Sequence, residues 1–586
     1  MTSVHYRIEA SDLHAHLFTV TLTVAEPAAA QTVSLPVWIP GSYLVREFSK
    51  NLQNLRAQQG RRTLVLTQRD KCTWTMDCQL GLPLVLSYQV YAFDHSVRTA
   101  WLDSQRGFFN GTSLCLRVHG QEHWPHLLEL RPIKTRPDWQ AATGLPPVKI
   151  TPQGFGLYQA ADYDQLVDCP VELGAFWSGT FTACGIAHRF VVAGTLPSFD
   201  GERLLNDTQK ICEAAIRFWH GRGAQAGKKA PHANYLFMLN AVHEGYGGLE
   251  HRNSTALICS RADLPRQTAP QTGEGYTTLL GLISHEYFHT WNVKQLRPDA
   301  FASYRYGQEN YTQLLWFFEG FTSYYDDLLL RRAGLIDDAS YLKLLGKTIA
   351  QVQQTPGRQL QSVAQSSFDA WVKYYRQDEN TPNATVSYYT KGALVALCLD
   401  LRLRQEGQAL DAVMRGLWKR CKAGPMREQD LLDELQALTG RSWEDEIQAW
   451  VHSTAELPLR ELLAGQNVHI EADPHTMAQR LGLRVSETGA SVQVKGVLRG
   501  SAAEAAGLAA GDEWLGLDVG NKAQGGSWRL SKLDELPILL GQEQQLVALV
   551  SRDKRLLRLP LKVPPETSGW RLTMHAPIPA GQWPAA

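Results

Sequence analysis

The spacing of hydrophobic residues changes twice along this 586-residue chain, and these changes limit the folds open to it. Up to about residue 165, runs such as HLFTVTLTV and LVLSYQVYAF alternate apolar and polar residues between turn residues, as half-buried strands do. From Tyr276 to about Leu463, apolar residues recur three and four positions apart, which predicts helices. After about residue 465, short strands and glycine-rich turns return. Because one domain usually takes about 100 to 200 residues, we expect several domains.

The stretch between the first two regions mixes both patterns. RFVVAGT and ANYLFMLNAV have the composition of strands, and LNDTQKICEAAIRFWHG that of a capped amphipathic helix. We therefore predict a multidomain α+β protein. Its parts are a β-sandwich at 1–165, a domain at 166–464 with a mixed sheet followed by a helical half, a small domain at 465–566, and a tail at 567–586 without a clear element.

Charge and composition argue against several classes of partner. Lys plus Arg and Asp plus Glu both total 58, so no net field attracts a polyanion, and we expect no nucleic-acid partner. The N-terminal sequence lacks a secretory pattern, and no segment approaches the roughly 18 apolar residues of a membrane span. We expect a cytoplasmic protein without a membrane partner. The nine cysteines are scattered and never spaced Cys-x-x-Cys, which favours reduced, buried thiols.

The motif HEYFH places His285 and His289 four residues apart in a segment with helical period. Two imidazoles at this spacing project from one helix face and can bind one zinc ion, while Glu286 lies near the open coordination position. Glu286 can then take a proton from zinc-bound water. Because the five-residue pattern also arises by chance, its context has to decide.

Zinc needs a third protein ligand, and Glu319 in WFFEGFTSYY is the candidate. It lies in an aromatic, helical segment, where an unpaired carboxylate would be costly to bury. The intervening residues 290–318 are more numerous than in compact zinc peptidases, so we expect a loop within RPDAFASYRYGQEN. The alternative is a solvated glutamate on a helix.

The segment GYGGLEHRNST follows a predicted buried strand and has the character of a glycine-flanked edge strand. An edge strand with Gly247 and Gly248 can hold an extended peptide by main-chain pairing. Glu250 could then pair with the α-ammonium group of a peptide, which predicts an aminopeptidase. The alternative is a glycine turn with Glu250 as a surface charge.

Tyr389 in VSYYTKGAL lies just before a helix predicted to begin near Lys391. From there its hydroxyl could stabilise the oxyanion of a tetrahedral intermediate. The alternative is an aromatic residue that packs beside Tyr388. Gly346, Lys347 and Thr348 lie in a helical stretch without the first glycine of a phosphate loop, so no nucleotide site is expected.

These motifs together resemble the glycyl aminopeptidases, gluzincin zinc peptidases with an N-terminal β domain, a thermolysin-like catalytic domain and a PDZ domain. HEYFHTWNVKQLRP resembles the extended zinc motif, WFFEGFTSYY the segment with the third ligand, VWIPGSYLVREFSKNLQNL the N-terminal domain, and GSAAEAAGLAAGDEWLGLD a PDZ signature. GGLEH and YTKGA are similar to the amine-recognition and catalytic-tyrosine motifs of the wider aminopeptidase N clan. His251 stands where that clan usually has asparagine.

The resemblance implies a thermolysin-like domain at 166–464 and a PDZ domain at 465–566. It also implies one Zn²⁺ per chain and the removal of N-terminal Gly, and of Ala, from peptide substrates. An endopeptidase with the same zinc site is an alternative, as is a peptide-binding adaptor with an inactive site. LGLRV, residues 481–485, is the candidate segment of the PDZ domain for a C-terminal or extended peptide ligand.

Overall fold

The computed structural model describes residues 4–223, 225–487, 489–520, 526–574 and 583–584. The chain divides into two compact units. The first comprises residues 1–311, 325–336 and 414–430, and the second comprises residues 312–324, 337–413 and 431–586. Within the described residues, no helix combines the length and the apolar character that crossing a membrane requires.

The first unit begins with a β-rich domain built from three sheets. The largest has eight strands in the order β14-β15-β12-β1-β2-β8-β4-β5, and the others have the orders β13-β16-β10-β9 and β11-β3-β7-β6. The elements are β1 (Val4–Asp12), β2 (Leu17–Val24), β3 (Ala30–Ser34), β4 (Leu52–Gln59), β5 (Arg62–Leu64), β6 (Thr67–Gln68), β7 (Thr73–Asp77), β8 (Leu84–Tyr91), β9 (Ala100–Leu102), β10 (Arg106–Phe109), α1 (Gly111–Leu114), β11 (Arg117–Val118), β12 (His126–Leu130), β13 (Gln140–Thr143), β14 (Pro147–Ile150), β15 (Gly156–Ala160), α2 (Tyr163–Val167) and β16 (Val171–Gly174).

Alternation in the sequence accounts for these strands. In β2, every second residue of LFTVTLTV is buried, because successive side chains of a strand point to opposite faces. The buried face of β2 joins a continuous apolar core with residues such as Tyr6, Leu86 and Phe109. The prediction of an N-terminal β domain is therefore confirmed.

A five-stranded mixed sheet follows in the same unit, in the order β17-β18-β19-β21-β20. Central β19 is buried almost throughout and pairs in parallel with both neighbours, which explains its continuous apolar sequence. Terminal β20 pairs antiparallel with β21. The Asp200 side chain caps helix α3 by accepting a hydrogen bond from the Arg203 backbone. The elements are β17 (Trp177–Ala183), β18 (Ile186–Ala193), α3 (Gly201–His220), β19 (Asn234–Val242), β20 (Tyr246–Glu250) and β21 (Ser254–Ser260).

Helices dominate the next part of the chain, as its periodicity predicts. Helix α4 belongs to the first unit, and helices α7 to α10 belong to the second. The elements are α4 (Glu274–Phe288), β22 (Arg297–Pro298), α5 (Leu315–Phe318), α6 (Gly320–Arg332), α7 (Asp338–Gln353), α8 (Val363–Phe368), α9 (Thr381–Ala384), α10 (Thr390–Gln405), α11 (Leu410–Arg420), β23 (Pro425–Met426), α12 (Glu428–Thr439), α13 (Glu444–Trp450) and α14 (Leu459–Ala464).

The second unit ends in a small domain with its own core around Trp514 and Leu536. Its main sheet has the order β25-β26-β27-β29-β30, and β28 pairs with β27. The elements are β24 (His469–Pro474), α15 (Met477–Leu481), β25 (Leu483–Ser486), β26 (Val492–Val497), α16 (Ala502–Ala505), β27 (Glu513–Val519), β28 (Gly526–Arg529), α17 (Leu536–Leu540), β29 (Gln545–Arg552), β30 (Arg555–Lys562) and β31 (Ser568–Thr573).

Two details differ from the sequence-based expectation. The continuous helix expected around Glu319 is instead two helices, α5 and α6, which meet at that residue. The tail expected to lack regular structure contains β31, which pairs antiparallel with β24. Beyond residue 574, that tail lies outside the described residues except at positions 583 and 584.

Candidate metal centre

Two histidines on one helix form the base of the candidate site. Helix α4 carries His285, and His289 follows as its C-terminal cap residue. Their Nε2 atoms lie 3.0 Å apart. The predicted spacing therefore brings both imidazoles to one point, as two ligands of a single ion require.

Both imidazoles are oriented through their other ring nitrogen. Nδ1 of His285 lies 3.0 Å from the Asp326 carboxylate, and Nδ1 of His289 lies 2.7 Å from the Asn292 carbonyl oxygen. Since both partners accept hydrogen bonds, each Nδ1 carries the proton and each Nε2 offers a lone pair. Burial raises the pKa of Asp326, and its hydrogen bond to His285 opposes that rise.

Glu319 completes a group of three possible metal ligands. One ligand atom each from His285, His289 and Glu319 lies within 4.8 Å of the other two. Glu319 is only 2% exposed, which rules out the alternative of a solvated helix residue. Two imidazoles and one carboxylate match the ligand set of a catalytic zinc site, so the residues present fit Zn²⁺.

Glu286 lies against the edge strand β20. A methyl group at Gly248 would overlap the Glu286 carboxylate, so only glycine permits this approach. Glu286 is only 4% exposed, so its carboxylate lies close to the strand and away from bulk water. The structure thus brings together two predicted site residues, Gly248 of the strand and Glu286 of the helix.

Glu250 is the last residue of β20 and is 4% exposed. Its Oε1 atom is buried and has no hydrogen-bond partner among the described residues. A buried carboxylate oxygen without a partner is costly, and an ammonium group would satisfy it. The alternative of a surface charge is therefore wrong. Gly247 precedes Gly248 on the same strand.

A buried cluster around Asp168 fixes the backbone after Glu250. The Asp168 carboxylate lies 2.7 Å from Lys294 Nζ and 3.3 Å from His251 Nδ1, and it accepts a hydrogen bond from the Arg252 backbone. Burial would raise the pKa of Asp168, but Lys294 and its other neighbours hold it far below the ordinary value. His251, the departure from the wider clan, thus belongs to this cluster.

Tyr389 immediately precedes α10, as predicted. Its ring lies 4.8 Å from that of Tyr388 and 5.5 Å from that of Tyr374. Burial and the nearby negative charge of Glu319 raise the pKa of Tyr389 well above 10. The phenol therefore stays protonated at neutral pH and can donate a hydrogen bond.

Sequence reasoning missed Asp326, Asp168, Lys294 and Arg98. Asp326 lies in the SYYDD segment just after the predicted third ligand, where a carboxylate partner for a metal-binding histidine could have been sought. Arg98, in the loop between β8 and β9, donates a hydrogen bond from Nη2 to the Gly248 carbonyl oxygen at 3.0 Å. Lys294 lies within HEYFHTWNVKQLRP, but no role was assigned to it there, and no local motif marks Asp168 or Arg98.

Comparison with known proteins identifies related sequences and structures. A family model for the Peptidase M61 N-terminal domain matches residues 5–175, and one for M61 glycyl aminopeptidase matches residues 278–395. The crystal structure of an aminopeptidase N family protein from Idiomarina loihiensis is 37% identical, has a TM-score of 0.92 and covers 98% of both chains. An M1 zinc metallopeptidase from Deinococcus radiodurans is 16% identical, with a TM-score of 0.48 over 78% of this chain and 95% of its own. No curated protein matches the chain.

Proposed function

This chain belongs to the M61 glycyl aminopeptidase family, and from that premise we propose that it is a zinc-dependent aminopeptidase acting on small N-terminal residues. The observation that carries the proposal is the convergence of His285, His289 and Glu319 within 4.8 Å. When bound there, Zn²⁺ would act as a Lewis acid on a peptide carbonyl and would acidify a water molecule. The other roles belong to side chains of the protein.

Glu286 is the proposed general base and acid. Its carboxylate accepts a proton from the attacking water and then donates it to the leaving amine. Tyr389 is the proposed donor to the oxyanion of the tetrahedral intermediate, a role that its protonated hydroxyl supports. Glu250 is the proposed partner of the substrate ammonium group, which would set the cut after the first residue.

The family name suggests N-terminal Gly as the preferred residue, with Ala as a second candidate. Hydrolysis of a glycine anilide is the first test, with and without a chelator. Activity that is lost on chelation and restored by added Zn²⁺ supports the proposal. Unchanged activity in the chelator would contradict a metal-dependent mechanism.

Glu286→Gln tests the general base. The amide keeps the shape of the side chain but cannot take up a proton, so we expect kcat to fall at least about 1000-fold. Bound zinc and the thermal midpoint should stay close to those of the wild-type protein, because Glu286 is not a proposed ligand. A variant that retains full turnover would remove Glu286 from the mechanism.

Two other functions lead to different results. An endopeptidase with the same zinc site would cleave N-acetylated peptides as well as free ones, whereas our proposal requires the ammonium group. An adaptor with an inactive site would hold no zinc after dialysis. In either case the terminal domain could bind a C-terminal or extended peptide along β25, an edge strand of its sheet.

A further inference from the structure

Opposite charges lie beside the edge strand β20, at positions two residues apart. Glu250 provides a buried carboxylate at the end of the strand, and Arg98 places its guanidinium on the carbonyl oxygen of Gly248. Gly248 also lies against the Glu286 carboxylate. Arg98 and the proposed general base therefore both contact Gly248, and the Glu250 carboxylate lies two residues further along the strand.

Arg98 has binding capacity that the protein does not use. A guanidinium offers five N–H donors, and the described residues accept one hydrogen bond from it, at Gly248. Its Nε atom is buried without a partner among those residues, and Arg98 takes part in none of their ion pairs. A half-buried cation with free donors is suited to a carboxylate, which it can bind through two parallel hydrogen bonds.

The spacing of Gly248 and Glu250 along the strand matches one short ligand. A strand advances about 3.3 Å per residue, so Glu250 and Gly248 define a span that an extended dipeptide also covers. With its ammonium group at Glu250, a dipeptide would place its carboxylate near Gly248, the residue that the Arg98 guanidinium contacts. A longer peptide would place an uncharged carbonyl group there instead.

We infer that Arg98 binds the C-terminal carboxylate of the substrate, so that the enzyme prefers zwitterionic dipeptides. The inference rests on the proposed function, since Glu250 and Glu286 fix the position of the substrate. Arg98 thus comes from the N-terminal β domain to determine substrate length. Arg98 recognises the terminal carboxylate of the second residue and not the side chain of that residue.

The test compares Gly-Ala with Gly-Ala-amide, which differ only in the terminal carboxylate. A hydrogen-bonded charge pair predicts that the wild-type kcat/KM for Gly-Ala is about 10- to 100-fold higher than for the amide. Arg98→Gln should reduce this preference to about 2-fold or less, and Arg98→Lys should retain part of it. Arg61→Gln, which removes an exposed arginine from the turn between β4 and β5, should keep the full preference.

Binding gives a second measurement that does not depend on turnover. In the Glu286→Gln background, calorimetry should give a Kd for Gly-Ala about 10-fold or more below that for the amide. Equal values would overturn the inference, as would an Arg98→Gln variant that weakens both ligands equally, because Arg98 would then only support the strand. If the wild-type protein hydrolyses neither dipeptide nor glycine anilide, the proposed function itself fails.

Discussion

At the scale of single residues, Gly248 decides how closely the proposed general base approaches the substrate strand. Its missing side chain leaves the space that the Glu286 carboxylate occupies. A side chain at position 248 would push Glu286 away from β20 or distort the strand. The distance between base and substrate is a quantity to which catalysis is sensitive, since small displacements can cost about 100-fold.

Gly248→Ala should therefore lower kcat at least about 100-fold while zinc remains bound, because the three atoms nearest to the added methyl group all belong to Glu286, which is not a proposed ligand. Steady-state kinetics with parallel metal analysis checks this prediction. Gly307→Ala is the matched control, since a methyl group at Gly307 meets no atom within 4 Å. Similar kcat values for Gly248→Ala and Gly307→Ala would contradict the close contact between Gly248 and the Glu286 carboxylate.

His188 connects the stability of the folded protein at acid pH with α4, the helix that carries the HEYFH motif. Its Nδ1 donates to the Ile186 carbonyl oxygen, and its Nε2 lies 3.0 Å from the Tyr287 hydroxyl. Burial lowers the pKa of His188 to about 4 and that of neighbouring His232 to about 3. Both imidazoles are therefore neutral in the folded protein at pH 6.

Because the unfolded chain binds these protons near pH 6.5, stability is fully present above that pH and is lost as the pH falls towards 4. For His188 alone the loss by pH 4.5 is roughly 2 kcal/mol. His188→Gln should be less stable at pH 7.5, yet its thermal midpoint should fall less between pH 6.5 and 4.5. His14→Gln, at an exposed turn position, should show the same decrease in thermal midpoint with pH as the wild-type protein. If His188→Gln also showed that same decrease, His188 would not contribute to the loss of stability at acid pH.

At the scale of elements, two glycines let the segment with Glu319 pack directly on α10. A Cβ atom at Gly320 would lie 2.5 Å from the Gly392 Cα atom, and one at Gly392 would lie 2.5 Å from the Trp316 carbonyl oxygen. Gly320 follows Glu319, and Gly392 lies one turn after Tyr389. The contact thus fixes the third candidate ligand relative to the proposed oxyanion donor.

Gly392→Ala should destabilise the protein by about 1 to 3 kcal/mol through overpacking. It should also weaken zinc binding, because Glu319 must move with its helix. Competition with a chromogenic chelator measures the affinity, and calorimetry measures the stability. Gly346→Ala in α7 is the control: its added methyl group would lie 3.8 Å from the Trp570 carbonyl oxygen, an ordinary contact, so the better helix propensity of alanine should preserve or raise stability.

Local patterns predicted most elements but not the contacts between them. The sequence TKGALVALCLDLRLRQ corresponds to α10 from its first residue to its last, and the HEYFH segment is helical as predicted, although α4 ends at Phe288. The break at Glu319 was not predicted, because the apolar pattern continues through it. Arg98 and Asp168 were missed for a different reason: their partners lie 150 and 84 residues away in the sequence, and periodicity carries no such information.

At the scale of the whole molecule, the small terminal domain is tied to the segment that precedes Tyr389. The Asn383 side chain donates to the Val497 carbonyl oxygen at 2.9 Å and accepts from the Arg499 backbone at 2.8 Å. These bonds join α9 to the end of β26. The assignment of the small terminal domain as a PDZ domain stays a prediction, as does any ligand that this domain binds.

The proposed mechanism depends on one zinc ion held by residues from separate parts of the sequence. The most direct test is X-ray diffraction from crystals of the purified protein at energies on either side of the zinc absorption edge. We predict one anomalous peak per chain, within about 2.0 to 2.3 Å of Nε2 of His285, Nε2 of His289 and a carboxylate oxygen of Glu319. A zinc-replete crystal with no peak among these three side chains would contradict the proposed zinc site.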